Sequence, residues 1–586
     1  QLQEILDIRI PEWQRESRSR VRELNRKTTA NAVHHIIDSL KQAYADLPQI
    51  GHYLEKVEQD VIDNADAFRK PSENENPEQE LLTPGTLPRR YRINLLVDNA
   101  DSNQAPVIYE DSPSFVALLG RIEHTVQFGT LITDFTQIRA GALQRANGGY
   151  LILDAHRLLS QPYAWDGLKR ALIAREIHIE SLAELLGLVN TVSLTPEALP
   201  LDVKLILLGD RLLYHLLHEF DPDFAELFKV SADFDDSLER TPDSELLYAR
   251  LIATLANKEG LLPFDREAVG AVIQISMRLV EDSRKLSMHI RGITDLMQQA
   301  SYRTGERGSE LVAAADVHEA WQARTSRHSR SRDQIHEAIQ RGTVMIDTDG
   351  AVIGQTNGLT VVQLGDFSYG VPTRITATTR LGEGVVIDIE RETELGGPIH
   401  SKGVFILSSF LGARYARNMP LSLAASITFE QSYSTIEGDS ASLAELCALL
   451  SSLADIPIDQ SLGITGSINQ LGLVQAIGGV NDKIEGFFDI CRQRQLNGHQ
   501  GVIIPAANIE HLMLREDLME QARSGQFSVY PVSKVDEAIE LLTGMQAGEE
   551  NEHGLFPEGT FNQRVQARLA QLADIHQNFN TPEHRK

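Results

Sequence analysis

Between Thr428 and Phe488 two polar turns each lead straight into an apolar helical pattern, and no other stretch constrains the chain as tightly. The first turn is Gly438-Asp439-Ser440-Ala441-Ser442. After it, Leu443, Leu446, Leu450 and Leu453 recur at helical spacing with Cys447 beside them, which predicts a helix over 441–454 with a buried face. Asp455 and Pro457 end it. The second turn is Gly478-Gly479, with Asn481 read as the N-cap of a helix through Ile484, Phe487, Phe488 and Cys491. Ser440 is thereby predicted at the free amide groups and positive dipole end of one helix, and Lys483 in the first turn of another.

Each residue has an ordinary explanation alone. A serine before a helix is usually an N-cap, and a lysine is usually a solvated surface group. Together they suggest chemistry. A serine hydroxyl is a poor nucleophile until a base takes its proton, and a neutral lysine amine can take it. A cation is misplaced at a helix start, and partial burial there lowers a lysine pKa further. No histidine lies between His400 and His499, so a Ser-His triad built within this stretch is excluded. Thr465, in Ile464-Thr465-Gly466, is a candidate to hold the amine through its hydroxyl. Glu437 and Asp439 flank the serine and are candidates to position or gate its turn. Ser442 is the competing nucleophile.

This stretch resembles the proteolytic domain of the Lon protease family, closest to its archaeal-type (B) branch. Phe429-Glu430-Gln431-Ser432-Tyr433, Glu437 to Ser442, Ile464-Thr465-Gly466 and Gly478-Gly479 to Lys483 fall in family order. The resemblance implies Ser440 as nucleophile, Lys483 as base and Thr465 as the residue orienting the lysine, with the first two 43 residues apart as in the family. Ser442 falls where the family usually has a small residue. A homo-oligomeric, hexameric ring with enclosed active sites, acting on unfolded polypeptides, is implied as well.

The expected fold class is multidomain α/β and α+β. Residues 1–70 read as a helical hairpin arm, with apolar positions at Val21, Leu24, Val33, Ile36, Ile37 and Leu40 and a break at Pro48-Gln49-Ile50-Gly51. Residues 71–94 are Pro, Glu and Asn rich at first, a flexible linker, and then enter the alternating strand-like stretch YRINLLVDN. Residues 95–238 alternate strands and helices around the apolar strands ending at Asp154 and Asp210, as in an α/β module with a parallel sheet. GALQRANGGYLILDA and Gly120-Arg121-Ile122-Glu123-His124 resemble the AAA+ module of B-type Lon proteins, which makes Asp154 a candidate Mg²⁺ ligand. Residues 239–328 resemble the small helical AAA+ subdomain, with Arg291 near the family's second sensor arginine. A linker over 329–341 leads into a Lon-type proteolytic domain over 342–545, with turns marked by Asp349-Gly350, Asn357-Gly358 and Gly382-Glu383-Gly384, and residues 546–586 form a polar tail.

ATP and Mg²⁺ are cofactors the resemblance implies, but the sequence departs from the pattern. It contains no G-x-x-x-x-G-K-[ST], and Ala155 stands where an AAA+ protein usually has its catalytic glutamate. Either the phosphate cradle lies upstream of Gln1 or the module is degenerate, and little ATP hydrolysis is expected of this chain. No metal centre is expected; His34 and His35 are adjacent and point to different faces. With 82 acidic and 55 basic residues the net charge is −27, which argues against nucleic acid as the main partner. The two cysteines imply no disulfide framework and no apolar run reaches membrane-spanning length, so a cytoplasmic protein is expected. The alternative is a non-proteolytic AAA+-like chaperone or scaffold that retains an inert protease domain.

Overall fold

Leucine-rich on every side, the stretch after Ser440 has to be buried all round, and one half of the molecule is assembled about it. The computed structural model describes residues 2–65, 89–127, 130–180, 194–365 and 367–580. It divides into two units, Gln1–Asp233 and Phe234–Lys586.

The first unit begins with a helical hairpin, α1 (Leu2–Ala43) and α2 (Pro48–Asp63). Pro48 supplies the first helical residue of α2, so Gln49 to Gly51 lie inside the helix and the break falls earlier, at 44–47. Ion pairs join the two helices: His34 Nδ1 lies 2.7 Å from Glu58, and Arg26 pairs with Asp63. Because α2 is less than half as long as α1, it shelters only part of the apolar pattern. Ile37 is buried, while Val21, Leu24 and Ile36 stay exposed. Most of the expected linker, to residue 88, lies outside the described residues. The alternating stretch after it forms no strand; instead Asn94 donates to the carbonyls of Phe135 and Ile138.

The α/β module holds a parallel three-stranded sheet, in the order β1 (Val107–Glu110), β2 (Tyr150–Asp154) and β3 (Lys204–Leu208). Immediately after β2 comes the short helix α3 (Ala155–Leu159).

The second unit packs α4 (Pro242–Lys258), capped by Thr241 and Ser244, with α5 (Arg266–Leu279), α6 (Ile290–Glu306) and α7 (Ala314–His328) around one apolar core. The expected linker 329–341 is largely a packed helix, α8 (Arg330–Gln340), with Ile339 buried against Ile346 and Ile490.

A seven-stranded mixed sheet then forms from β4 (Gln355–Leu364), β5 (Phe367–Leu381), β6 (Val385–Asp388), β7 (Leu423–Phe429), β8 (Leu462–Ile464), β9 (Gly501–Pro505) and β10 (Ser528–Val532). Their order across the sheet is β6-β7-β5-β4-β8-β9-β10. The helices of nine or more residues around it are α9 (Pro398–Tyr415), α10 (Ser442–Ala454), α11 (Val480–Gln493), α12 (Val535–Thr543) and α13 (Phe561–Asn580). α10 is buried along nearly its whole length and stops where Asp455 turns left-handed at φ 54°.

Two expectations fail here. Asn357-Gly358 is not a turn but the middle of β4. The Asn357 amide donates to the carbonyls of Asp347 and Gln460, and a Cβ on Gly358 would lie 2.3 Å from Ile375 Cδ1. The turn-forming pair is thus used for a side-chain tether and for close packing. Nor does all of 546–586 form a polar tail. Phe561, Val565, Leu569 and Leu572 on α13 join the core around α10, and Asn562 accepts a hydrogen bond from Tyr415 at 2.7 Å. Phe561→Ala is therefore expected to destabilise the protease core by about 3 to 5 kcal/mol, read as a lowered midpoint in chemical denaturation. A true tail would lose less than about 0.5 kcal/mol.

Candidate active site

α11 starts at Val480 because Gly479, at φ 66°, turns the chain sharply into it. Asn481 is therefore not the N-cap. It lies in the first turn, buried, with its side chain bonded to the carbonyl of His511 and the amide of Met513. Lys483 follows, with only 3% of its surface exposed.

The Lys483 amine donates to Ser440 Oγ at 2.8 Å and to Thr465 Oγ1 at 3.2 Å. Thr465 is fully buried and its hydroxyl donates to the Ser440 carbonyl at 3.1 Å, while the Gly466 amide donates to the same carbonyl at 2.8 Å. Burial removes the ammonium from water and lowers the Lys483 pKa to about 8, against the opposing pull of the Asp439 and Glu281 carboxylates.

The two serines differ. Ser440 is half-buried at the mouth of the turn, whereas Ser442 is buried and its Oγ accepts from the Ile468 amide at 3.2 Å. The amides of Ser442 and Leu443 are taken by the carbonyls of Asp439 and Gly466. Among the described residues, those of Ser440 and Ala441 have no hydrogen-bond acceptor.

The flanking acids anchor the turn. Asp439 accepts from the Ser467 hydroxyl at 2.8 Å. Glu437 accepts from the Ile399 amide at 3.1 Å, at the positive start of α9, and its carboxylate occupies the space a Cβ on Gly397 would fill.

Three further contacts were not foreseen from the sequence. Gly370 on β5 lets strand and helix touch, since a Cβ there would lie 2.7 Å from Lys483 Cα. Arg278, at the end of α5, makes a two-pronged bond to Glu485 at 2.7 and 2.6 Å. Glu281, just beyond α5, accepts from the Gly479 amide at 3.3 Å. The helical subdomain thus grips the helix that carries Lys483. The available signal was Glu485 itself, an acid two residues after Lys483 in an otherwise apolar run.

The nucleotide candidates sit on other elements. Asp154 ends β2 in the first unit, where its carboxylate accepts from the Arg157 amide and caps α3. Arg291 is exposed in the first turn of α6 in the second unit. Among the described residues neither is accompanied by a loop able to cradle phosphates, so these residues by themselves do not fit a bound ATP–Mg²⁺ group.

The chain matches three family models in sequence order: the LonB-like AAA domain over residues 103–235, the archaeal LonB AAA+ ATPase lid domain over 263–327, and the Lon protease C-terminal proteolytic domain over 431–544. It is 34% identical over 439 residues to the "Putative Lon protease homolog" of Escherichia coli (strain K12), covering 74% of this chain and 72% of that one. It is also 34% identical over 446 residues to the protein of the same name from Haemophilus influenzae, covering 75% and 72%. Identity to an archaeal Lon protease of Archaeoglobus fulgidus is 28% over 452 residues, covering 76% and 69%.

An amine 2.8 Å from Ser440 Oγ can take the hydroxyl proton only after losing its own. With its pKa lowered to about 8, the amine is mainly an ammonium below that pH and cannot accept. Labelling of Ser440 by a serine-directed phosphonate is therefore expected to rise about tenfold per pH unit up to about 8 and then level off. Lys483→Met should abolish the rise. A pH-independent labelling rate in the parent would contradict the pairing.

Proposed function

The chain belongs to the Lon protease family, and on that premise we propose that its peptidase activity is carried by a Ser440–Lys483 dyad. The supporting observation is the 2.8 Å contact between the Lys483 amine and Ser440 Oγ in a buried site. Neutral Lys483 takes the hydroxyl proton as Oγ attacks the peptide carbonyl. The free amides of Ser440 and Ala441 are the candidate donors to the oxyanion. Lys483 then protonates the leaving amine, and the acyl-enzyme is hydrolysed by water activated in the same way. Thr465 positions the amine, and Asp439 and Glu437 hold the turn in place.

The substrates proposed are unfolded or damaged polypeptides, and the working form a homohexamer, as the family resemblance suggests. Two buried, unpaired cysteines, Cys447 and Cys491, are compatible with a reducing cytoplasm. No helix among the described residues is long and apolar enough to cross a membrane. An AAA domain is by type a nucleotide-binding module, and ATP-dependent action is proposed for the intact ring. With no phosphate cradle beside Asp154 among the described residues, this chain should cleave short unstructured peptides without nucleotide. An inert scaffold would have no need to keep Ser440, Thr465 and Lys483 in mutual contact.

The test is cleavage of an unfolded protein such as casein, and of short peptides, without ATP. Ser440→Ala should lower turnover by about four orders of magnitude. Lys483→Arg should do the same, because a guanidinium cannot give up its proton. Ser442→Ala should cost about 1–2 kcal/mol of stability through the unpaired Ile468 amide and leave the nucleophile in place. Full turnover by Lys483→Arg would remove the dyad.

A further inference from the structure

Behind the serine turn lies a second group of polar side chains that peptide hydrolysis does not use. Asp388 ends β6, Glu390 sits in the helical turn Ile389–Glu392, His400 is on α9, and Glu445 is in the first turn of α10. All four are at least 96% buried. Donor atoms of Asp388, Glu390 and His400 all lie within 4.8 Å of one another. His400 Nε2 is 3.1 Å from Asp388 Oδ2 and 3.8 Å from Glu445 Oε1.

The His400–Asp388 ion pair is poorly aligned as a hydrogen bond and leaves the group short of partners. Both carboxylate oxygens of Asp388, Oε2 of Glu390, Nε2 of His400 and Oε1 of Glu445 have no hydrogen-bond partner. Glu390 shows the arrangement best. Its Oε1 accepts from Thr428 Oγ1 at 2.9 Å and from the Phe429 amide at 2.8 Å, which holds the carboxylate fixed and turns Oε2 away from those donors. The His400 ring is seated edge-on against Phe429, with centroids 5.5 Å apart. Among the described residues no lysine or arginine forms an ion pair with any of the four. Three carboxylates thus share a buried site in which, among the described residues, the single imidazole is the only cationic partner, and burying charge with so little compensation is costly.

We propose that Asp388, Glu390 and His400, with Glu445 completing the set, bind one divalent first-row transition-metal ion. An imidazole among carboxylates suits Zn²⁺ or Mn²⁺ better than Mg²⁺ or Ca²⁺. Ligand bonds of roughly 2.1 Å put the farthest donors of one ion no more than about 4.2 Å apart, so side-chain adjustments on the order of an ångström complete the site. Thr428 and the Phe429 amide are the outer partners that orient Glu390. The sequence did not show this site because its residues are spread from position 388 to position 445 with no compact ligand motif.

The ion would act on position rather than on chemistry. It joins the end of β6, α9 and the start of α10. Less than one turn after His400, a Cβ placed on Gly403 would lie only 3.4 Å from Asp439 Cβ and 3.6 Å from Ser442 Cβ, so α9 packs directly against the serine turn. The Glu437 carboxylate is held at the start of the same helix. Binding therefore braces the wall on which the serine turn rests.

The test is metal stoichiometry on the full chain. The protein is stripped with a chelator, equilibrated separately with Zn²⁺ and Mn²⁺, freed of loose metal by gel filtration, and its metal content measured with its thermal midpoint. One equivalent per chain of at least one ion is expected, with a raised midpoint, and Glu390→Gln and His400→Gln should each retain less than a tenth of it. Visible absorption of the parent loaded with Co²⁺ supplies a reading that needs no variant, with ligand-field bands of a bound, partly dehydrated ion expected. Failure of the parent to retain any of these ions would overturn the site, as would undiminished retention by folded variants.

Discussion

A lysine amine sealed from water against a serine hydroxyl is the interaction on which the protease half depends. Lowering the Lys483 pKa from 10.5 to about 8 corresponds to roughly 3 kcal/mol disfavouring the charged form. That cost is tolerated only because the surroundings fix the amine. The left-handed Gly479 aims the helix, Gly370 and Gly486 let β5 and α11 meet at backbone distance, and Thr465 ties the amine to the serine carbonyl. Asp439 acts oppositely, pulling the pKa upward, so the amine stops near the range a general base needs.

The same helix is held from outside the sheet. Arg278 clamps Glu485, two residues beyond Lys483, and Glu281 holds the Gly479 amide. These contacts come from the segment that matches a AAA+ lid domain. Removing Arg278 would take the ion-pair partner from a buried carboxylate two residues beyond Lys483, leaving it only the Arg515 amide. The lid is therefore part of the frame that keeps the lysine in place.

Much of this was legible in the sequence where local chemistry and the tertiary structure agree. The leucine repeat of α10, the glycine pair before α11, and the apolar strands read as ending at Asp154 and Asp210, the second of which stops at Leu208, each carry one period and one stop signal. Legibility failed where a residue's local habit was overridden by a distant partner. Asn357-Gly358 has the composition of a turn but serves Asp347, Gln460 and Ile375 across the sheet. Asn481 has the habit of an N-cap but reaches the chain near His511 and Met513. α13 carries its apolar residues among many polar ones, and only the core around α10 shows which face counts. The buried group around His400 has no sequence period at all, since it arises from separate elements brought together.

The most direct measurement is the titration of the Lys483 amine itself. Competitive labelling of amines across pH, read peptide by peptide, gives the pKa of each lysine in the folded chain. A midpoint near 8 for Lys483 is expected, returning toward 10.5 when the protein is unfolded. A midpoint near 10.5 in the folded protein would mean that the amine remains solvated, and the dyad built on it would be contradicted.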